Sequence, residues 1–320
     1  METRPHHHLY ALGLACLLTA ANTSVAATAP AFIDDEALAE GFVRKLAVIV
    51  DRRDASAGTA SINSREASSQ LMQAEGRHVR LSASPTLCTL QPEQSLYEAV
   101  TPAVVVVGSI YKCNSCSDWH LGGMASGWLL ADNGLVVTNH HVFAEDGDHR
   151  FGVMTADGEV FAVTAILAAD RAGDAAIAQI DARGRKLPSV ALGPRPACGE
   201  AVTVISHPAG RFYSLTKGIV SRYHRQRDEA DSANTRKPAD GKKVETAADP
   251  IWMSVTADFA VGSSGGPVFN ADGQVVGMVS RTFSSEAPRN HRRRGQFSTQ
   301  MVFKDCVSRE TLMGLIEPAG

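Results

Sequence analysis

The chain lacks a dominant charge. Its 31 Lys and Arg stand against 34 Asp and Glu, a formal net charge of −3 at pH 7. That balance gives no drive toward nucleic acid as a bulk partner. After Ala21 it also lacks any apolar run long enough to span a bilayer, so no stable membrane insertion is expected of the mature chain. Helical periodicity is sparse beyond the first quarter. Cysteines are few, and Cys88, Cys113, Cys116, Cys198 and Cys306 remain after residue 27. An odd number excludes complete pairing within one chain.

What is present begins with a leader. Leu9 to Ala21 is an apolar run of signal-peptide length, and Val25-Ala26-Ala27 satisfies the small-x-small cleavage rule. Residues 1–27 are therefore expected to be a signal peptide and the chain to be exported, to a periplasm or outside the cell. Cys16 sits in a poor context for a lipid anchor. Residues 28–92 read as an N-terminal extension or linker: helical spacing at Leu38, Phe42, Val43 and Leu46, an Ala/Ser-rich linker from Ala55 to Ser69, and a second short helix from Glu66 to Glu75.

The main domain is expected over 93–320. Short β-branched runs recur at 103–111, 124–130, 135–138, 150–155, 159–168, 175–180, 201–206, 212–222, 252–257, 266–269, 274–280 and 297–303, with tight-turn signals at Asp132-Asn133-Gly134, Asp157-Gly158 and Asp272-Gly273. This is a mainly β pattern, a barrel or a sandwich. Ser308 to Ile316 reads as a short C-terminal helix. Tyr223 to Ala248 reads as a charged surface insertion, and Arg289 to Arg294 as a basic loop.

Chemistry concentrates in Ala260 to Asn270, AVGSSGGPVFN. A serine attacks a carbonyl only when a base takes its proton and donors receive the oxyanion. Ser264 is the candidate nucleophile, and its N–H and that of Gly262 are the candidate oxyanion hole. Candidate bases are His140 and His141, directly after the 135–138 strand. Candidate acids are Asp170 and Asp174, leading into an apolar strand where a carboxylate can be buried beside an imidazole.

The order His, Asp, Ser with these flanks resembles the trypsin-like serine proteases of the chymotrypsin clan, and among them the bacterial HtrA/Deg-type branch. Four blocks carry the likeness: Ala125-Ser126-Gly127 through Thr138-Asn139-His140-His141-Val142; Asp170 to Ala176; Gly199 to Gly210 with Lys217 to Ser221; and Gly262-Ser263-Ser264-Gly265-Gly266-Pro267. The resemblance selects His141 over His140 and Asp174 over Asp170, giving a His141/Asp174/Ser264 triad. It implies two packed six-stranded antiparallel β-barrels, about 93–194 and 195–303, with protein or peptide substrates and no cofactor. With about 40 residues after the 274–280 strand, the family's regulatory PDZ module is not expected here.

Ser263 stands where digestive relatives keep the acid of their activation switch, so that switch is not expected. Substrate-binding candidates conflict. Asp258 occupies the position of a basic-specificity carboxylate, whereas Ser280 and Thr282 on the pocket wall imply a narrow entrance for small apolar side chains. Cys113-x-x-Cys116 with His120 is open to three readings: a disulfide, a metal half-site or a redox pair. The leading function is an exported serine endopeptidase. A non-proteolytic binding or chaperone protein on a protease scaffold, or a metal/redox sensor at Cys113, Cys116 and His120, are the alternatives. The sequence does not set the oligomeric state.

Overall fold

Alternation along β1 (Val104–Lys112) sets the architecture. Val104 to Val107 are all fully buried. Successive side chains point to opposite faces, so both faces of this strand must be covered. Val105 and Val107 enter one apolar cluster with Leu129, Phe151, Phe161 and Ile180. Val104 and Val106 enter a second one with Trp128, Phe42 and residues of the chain's far half, Phe269 and Val275. The first cluster fills a barrel, and the second lies around it. This computed structural model describes residues 32–53, 60–81, 95–113, 115–225, 249–288 and 297–317. The expected signal peptide, Cys88, the basic loop at 289–294 and most of the charged insertion lie outside the described residues.

The first barrel closes in the order β1, β2 (Trp119–Ala131), β3 (Leu135–Thr138), β6 (Ala175–Ile180), β5 (Val160–Asp170), β4 (His149–Met154). The second closes in the order β10 (Pro267–Phe269), β11 (Val275–Pro288), β12 (Phe297–Ser308), β9 (Ile251–Val255), β8 (Ser214–Arg225), β7 (Ala201–Ser206). All pairings between these strands are antiparallel. The mainly β fold of two six-stranded barrels is thus as expected. Strand β11 runs eight residues past the expected end at 280. It pairs with β12 beyond the barrel, where Phe283 and Met301 are exposed. No core face imposes an alternating pattern there, so the sequence reads as loop.

Two helices precede the barrels. Helix α1 (Asp35–Arg53) buries Phe42, Leu46 and Val50, one face at i, i+4 and i+8. Gly108 and Gly152 are cross-strand partners on β1 and β4. A Cβ on Gly108 would stand 2.9 Å from the Phe42 ring, and one on Gly152 would stand 2.7 Å from Leu46. The paired glycines form a notch in which the helix lies. Burial of each side chain contributes about 1.5–3 kcal/mol.

Helix α2 (Ser64–Ala74) starts at a capping box between Asn63 and Glu66 and buries Ala67, Leu71 and Ala74. It is the short helix expected over Glu66 to Glu75, and it begins two residues earlier, within the stretch expected as a linker. Small residues do not preclude a helix once a cap and one apolar face are supplied. At its far end the Glu75 carboxylate accepts the Arg171 N–H (3.2 Å). Gly76 N–H donates to the Ala169 carbonyl (3.0 Å).

Helix α3 (Leu96–Val100) leads into β1, and α4 (Arg309–Met313) follows β12 with Ser308 as its N-cap. Leu312, Leu315 and Ile316 are buried, and Val79 pairs with the segment after α4 through hydrogen bonds to Leu315 and from Glu317.

Candidate active site

A buried serine fixes where the barrels meet. Ser126 on β2 donates its N–H to the Ser264 carbonyl (2.8 Å) and its hydroxyl to the Gly262 carbonyl (2.9 Å). It also accepts the His207 N–H at its Oγ (3.1 Å), and its carbonyl accepts Thr138 Oγ1 (2.8 Å). Gly265 adopts φ +84°, and a Cβ there would collide with the Ser126 carbonyl and Thr138 Oγ1. Only glycine allows both the left-handed backbone and the close approach. His207 is fully buried at this seam. Its Nδ1 accepts the Tyr213 N–H (3.0 Å), and burial lowers its pKa to about 4, so it stays neutral.

His141 follows β3 in a short 3₁₀ turn, His140–Phe143. Its Nδ1 lies 3.0 Å and 2.9 Å from the two Asp174 oxygens, and its backbone N–H donates to Asp174 Oδ1 (3.2 Å). Burial pulls the His141 pKa down. The hydrogen bond and the charge of Asp174 more than offset it, so the net direction is upward. His140 makes no such contact among the described residues, and burial lowers its pKa.

Asp174 sits at φ +51°, an uncommon conformation for a non-glycine residue. Asn139, fully buried, donates its Nδ2 to the Asp174 carbonyl (2.8 Å) and holds this turn. Asp170, the other candidate acid, accepts the Gly173 N–H (2.7 Å) and so closes the turn instead of facing an imidazole.

Ser264 lines a cleft of about 170 Å³ together with His141, Gly262, Met124 and Glu145. Its hydroxyl donates to the Ser280 carbonyl at 3.4 Å; among the described residues no hydrogen bond joins it to His141. Gly262 is at φ +93°, and neither its N–H nor that of Ser264 donates to a protein acceptor among the described residues. Ser263 is buried and bonded to the Ser206 hydroxyl (3.0 Å). On the cleft wall, Ser109 Oγ donates to Glu145 (2.6 Å), and His149 lies 3.1 Å from the same carboxylate. A larger cleft of about 560 Å³ between α1 and β5 contains none of these residues.

The substrate-binding candidates fall in different places. Ser280, expected on the pocket wall, donates its hydroxyl to Asp174 Oδ2 (2.6 Å) and so belongs to the acid's hydrogen-bond set. Thr282 is exposed on β11. Asp258 does not form a buried pocket floor. Its side chain is 84% exposed and paired with Lys304 at 2.6 Å, because its loop turns it outward toward β12. The roles of Asn139 and Ser126 were not legible in sequence, although both lie in the blocks that carry the resemblance.

Cys113, Cys116 and His120 come together at the tip of the β1–β2 hairpin, their ligand atoms within 4.8 Å of one another. Contacts from Cys116 first, then from the Ser115 hydroxyl and neighbouring backbone groups, lower the Cys113 thiol to about 6. Cys198 and Cys306 are free thiols, as are Cys113 and Cys116; the expected disulfide is not formed among the described residues.

The trypsin-like peptidase domain family matches residues 125–278, which holds all the triad candidates. The chain is 33% identical over 165 residues to a probable periplasmic serine endoprotease, DegP-like, of Pseudomonas putida, covering 50% of this chain and 29% of that protein. It is 34% identical over 157 residues to the serine protease HTRA1 of Xenopus laevis, covering 48% of this chain and 30% of the relative. Protease Do-like 5, chloroplastic, of Arabidopsis thaliana is 28% identical over 208 residues, with 59% of this chain and 60% of that protein covered. The chain thus spans under a third of the first two relatives. The resemblance to trypsin-like, HtrA-related serine proteases holds.

Proposed function

We propose that this chain is an exported serine endopeptidase. Ser264 attacks the scissile carbonyl, His141 takes its proton, and the Gly262 and Ser264 N–H groups receive the oxyanion. The protonated imidazole, steadied by Asp174, then gives the proton to the leaving amine. Water releases the acyl group from Ser264 by the reverse sequence.

The observation that carries this reading is the Asp174 carboxylate, which accepts from the His141 ring, the His141 N–H and the Ser280 hydroxyl at once. Those donors fix its orientation, and through it the tautomer that leaves Nε2 facing the cleft as a base. Ser264 and His141 line the same cleft, which supports a proton transfer between them. Ser263 in place of an acid supports a site that is not switched by a freed N-terminus.

Substrates are proteins or peptides. The outward Asp258, paired with Lys304, gives no support to a preference for Arg or Lys at P1. Export is supported by the apolar Leu9 to Ala21 run and by the word "periplasmic" in the name of the Pseudomonas relative.

The test is covalent labelling with a serine-directed phosphonate. Wild type should be labelled at Ser264, and Ser264→Ala should not. A folded wild-type protein that resists labelling and cleaves no peptide would leave the binding-scaffold reading in its place.

A further inference from the structure

The β1–β2 hairpin ends in a cluster that proteolysis does not use. Tyr111 pairs with His120 and Lys112 with Trp119, so Cys113, Ser115 and Cys116 lie at the end of the hairpin. Cys113 Sγ lies 2.9 Å from Cys116 Sγ, and Cys116 Sγ lies 2.9 Å from His120 Nε2. The Ser115 hydroxyl is 3.2 Å from Cys113 Sγ. Both ends of the hairpin are anchored: Asp51 of α1 accepts from Trp119 Nε1 (3.2 Å), and the Tyr111 ring lies between His120 (5.6 Å) and His149 (5.3 Å). Three donors of the soft and borderline kind therefore converge on one point from a short loop and a braced strand.

We propose that Cys113, Cys116 and His120 bind a zinc ion, with water as the fourth ligand, in a clip that locks the hairpin tip. Two thiolates and an imidazole are the donor set that selects zinc over the hard, oxygen-preferring cations. Tetrahedral thiolates about 2.3 Å from the metal stand about 3.7 Å apart. The two sulfurs must therefore open by less than about 1 Å from their 2.9 Å separation, on an exposed loop. A disulfide needs them about 2.05 Å apart, a closing as small as that opening, but it would leave the imidazole, already aimed at Cys116, without a partner. On binding, each thiol S–H gives its proton to solvent and each sulfur donates a lone pair to the metal; no redox change occurs. The clip is separate from Ser264, so its presence is read independently of peptidase activity.

Cobalt(II) serves as the probe, added to the full chain reduced with a non-chelating phosphine. One equivalent should produce visible d–d bands and near-ultraviolet thiolate-to-cobalt charge transfer, both erased by one equivalent of zinc. Cys116→Ser and His120→Ala should each weaken zinc binding more than about 100-fold, beyond the loss typical of outer-shell partners. Cys198→Ser should leave binding unchanged. The thermal midpoint of wild type should rise with free zinc, and that of Cys116→Ser should not. Thermal unfolding without metal, together with Ser264 labelling, shows whether each variant is folded. Reduced wild type that gives no charge-transfer band overturns the proposal. So does a band that survives loss of both Cys113 and Cys116, or an air-prepared protein two hydrogens lighter across these cysteines that takes up no metal after reduction.

Discussion

Replacing Asp174 by asparagine removes a charge while keeping the shape. Asp174 Oδ1 accepts the His141 backbone N–H at 3.2 Å, and Oδ2 accepts the Ser280 hydroxyl at 2.6 Å. The backbone N–H cannot accept, so the amide oxygen must take the Oδ1 position and the NH₂ must face Ser280 and His141 Nδ1. An NH₂ there donates to Nδ1, which drives the ring proton to Nε2 and blocks the base. The expected loss in kcat/KM at neutral pH is about 10⁴-fold, or ~5.5 kcal/mol of transition-state stabilisation.

A second readout has a defined sign. In the wild type, burial lowers the His141 pKa, while the hydrogen bond and charge of Asp174 raise it by more. Without that charge, burial acts alone and the pKa falls below its ordinary 6.5. The base must be neutral, so the acid limb of kcat/KM against pH moves to lower pH in Asp174→Asn. The assay is a pH series on a peptide substrate, with thermal unfolding as the control for folding. Activity within about 10-fold of wild type and an unmoved acid limb would refute the assignment, as would the same collapse in Asp170→Asn.

Phe42→Ala should cost about 3–5 kcal/mol, because the ring fills the notch over Gly108 and little can collapse into it; chemical denaturation reads this directly, and a loss under 1 kcal/mol would mean that α1 is only loosely attached. Gly265→Ala places a Cβ against the Ser126 carbonyl at φ +84°, adding about 1–2 kcal/mol of left-handed strain to the clash; phosphonate labelling should be lost, and normal labelling would contradict the seam geometry. Asp258→Ala should leave the P1 profile of a peptide library unchanged, since the carboxylate is exposed and held by Lys304; a selective loss of cleavage after Arg or Lys would restore it to the pocket.

The strands were legible because they alternate or run apolar between Asp-Gly and Asn-Gly turns, which left barrel or sandwich open; the two barrels came from the family likeness. His141 and Asp174 were separated from His140 and Asp170 by family likeness alone; the physical difference lies in which carboxylate closes its own turn, and that needs coordinates. Phe42 and Leu46 showed a buried face but not its counterpart, which consists of two glycines that hydropathy ignores. The extension thus read as spacer, while Glu75 in fact holds the loop that carries Asp174. Asp258 failed for the opposite reason. Spacing from Ser264 gives a position along the chain, but the direction of a side chain depends on how its loop turns.

Ser126 gives the seam a mechanical meaning. Its two donors hold carbonyls on either side of Ser263, while its own strand leads through β3 to His141. The proposed nucleophile and base thus sit on different barrels, and Ser126, with the Ser280 hydroxyl bonded to Asp174, ties the two together. On the proposed triad, a complete site therefore requires both barrels to be docked.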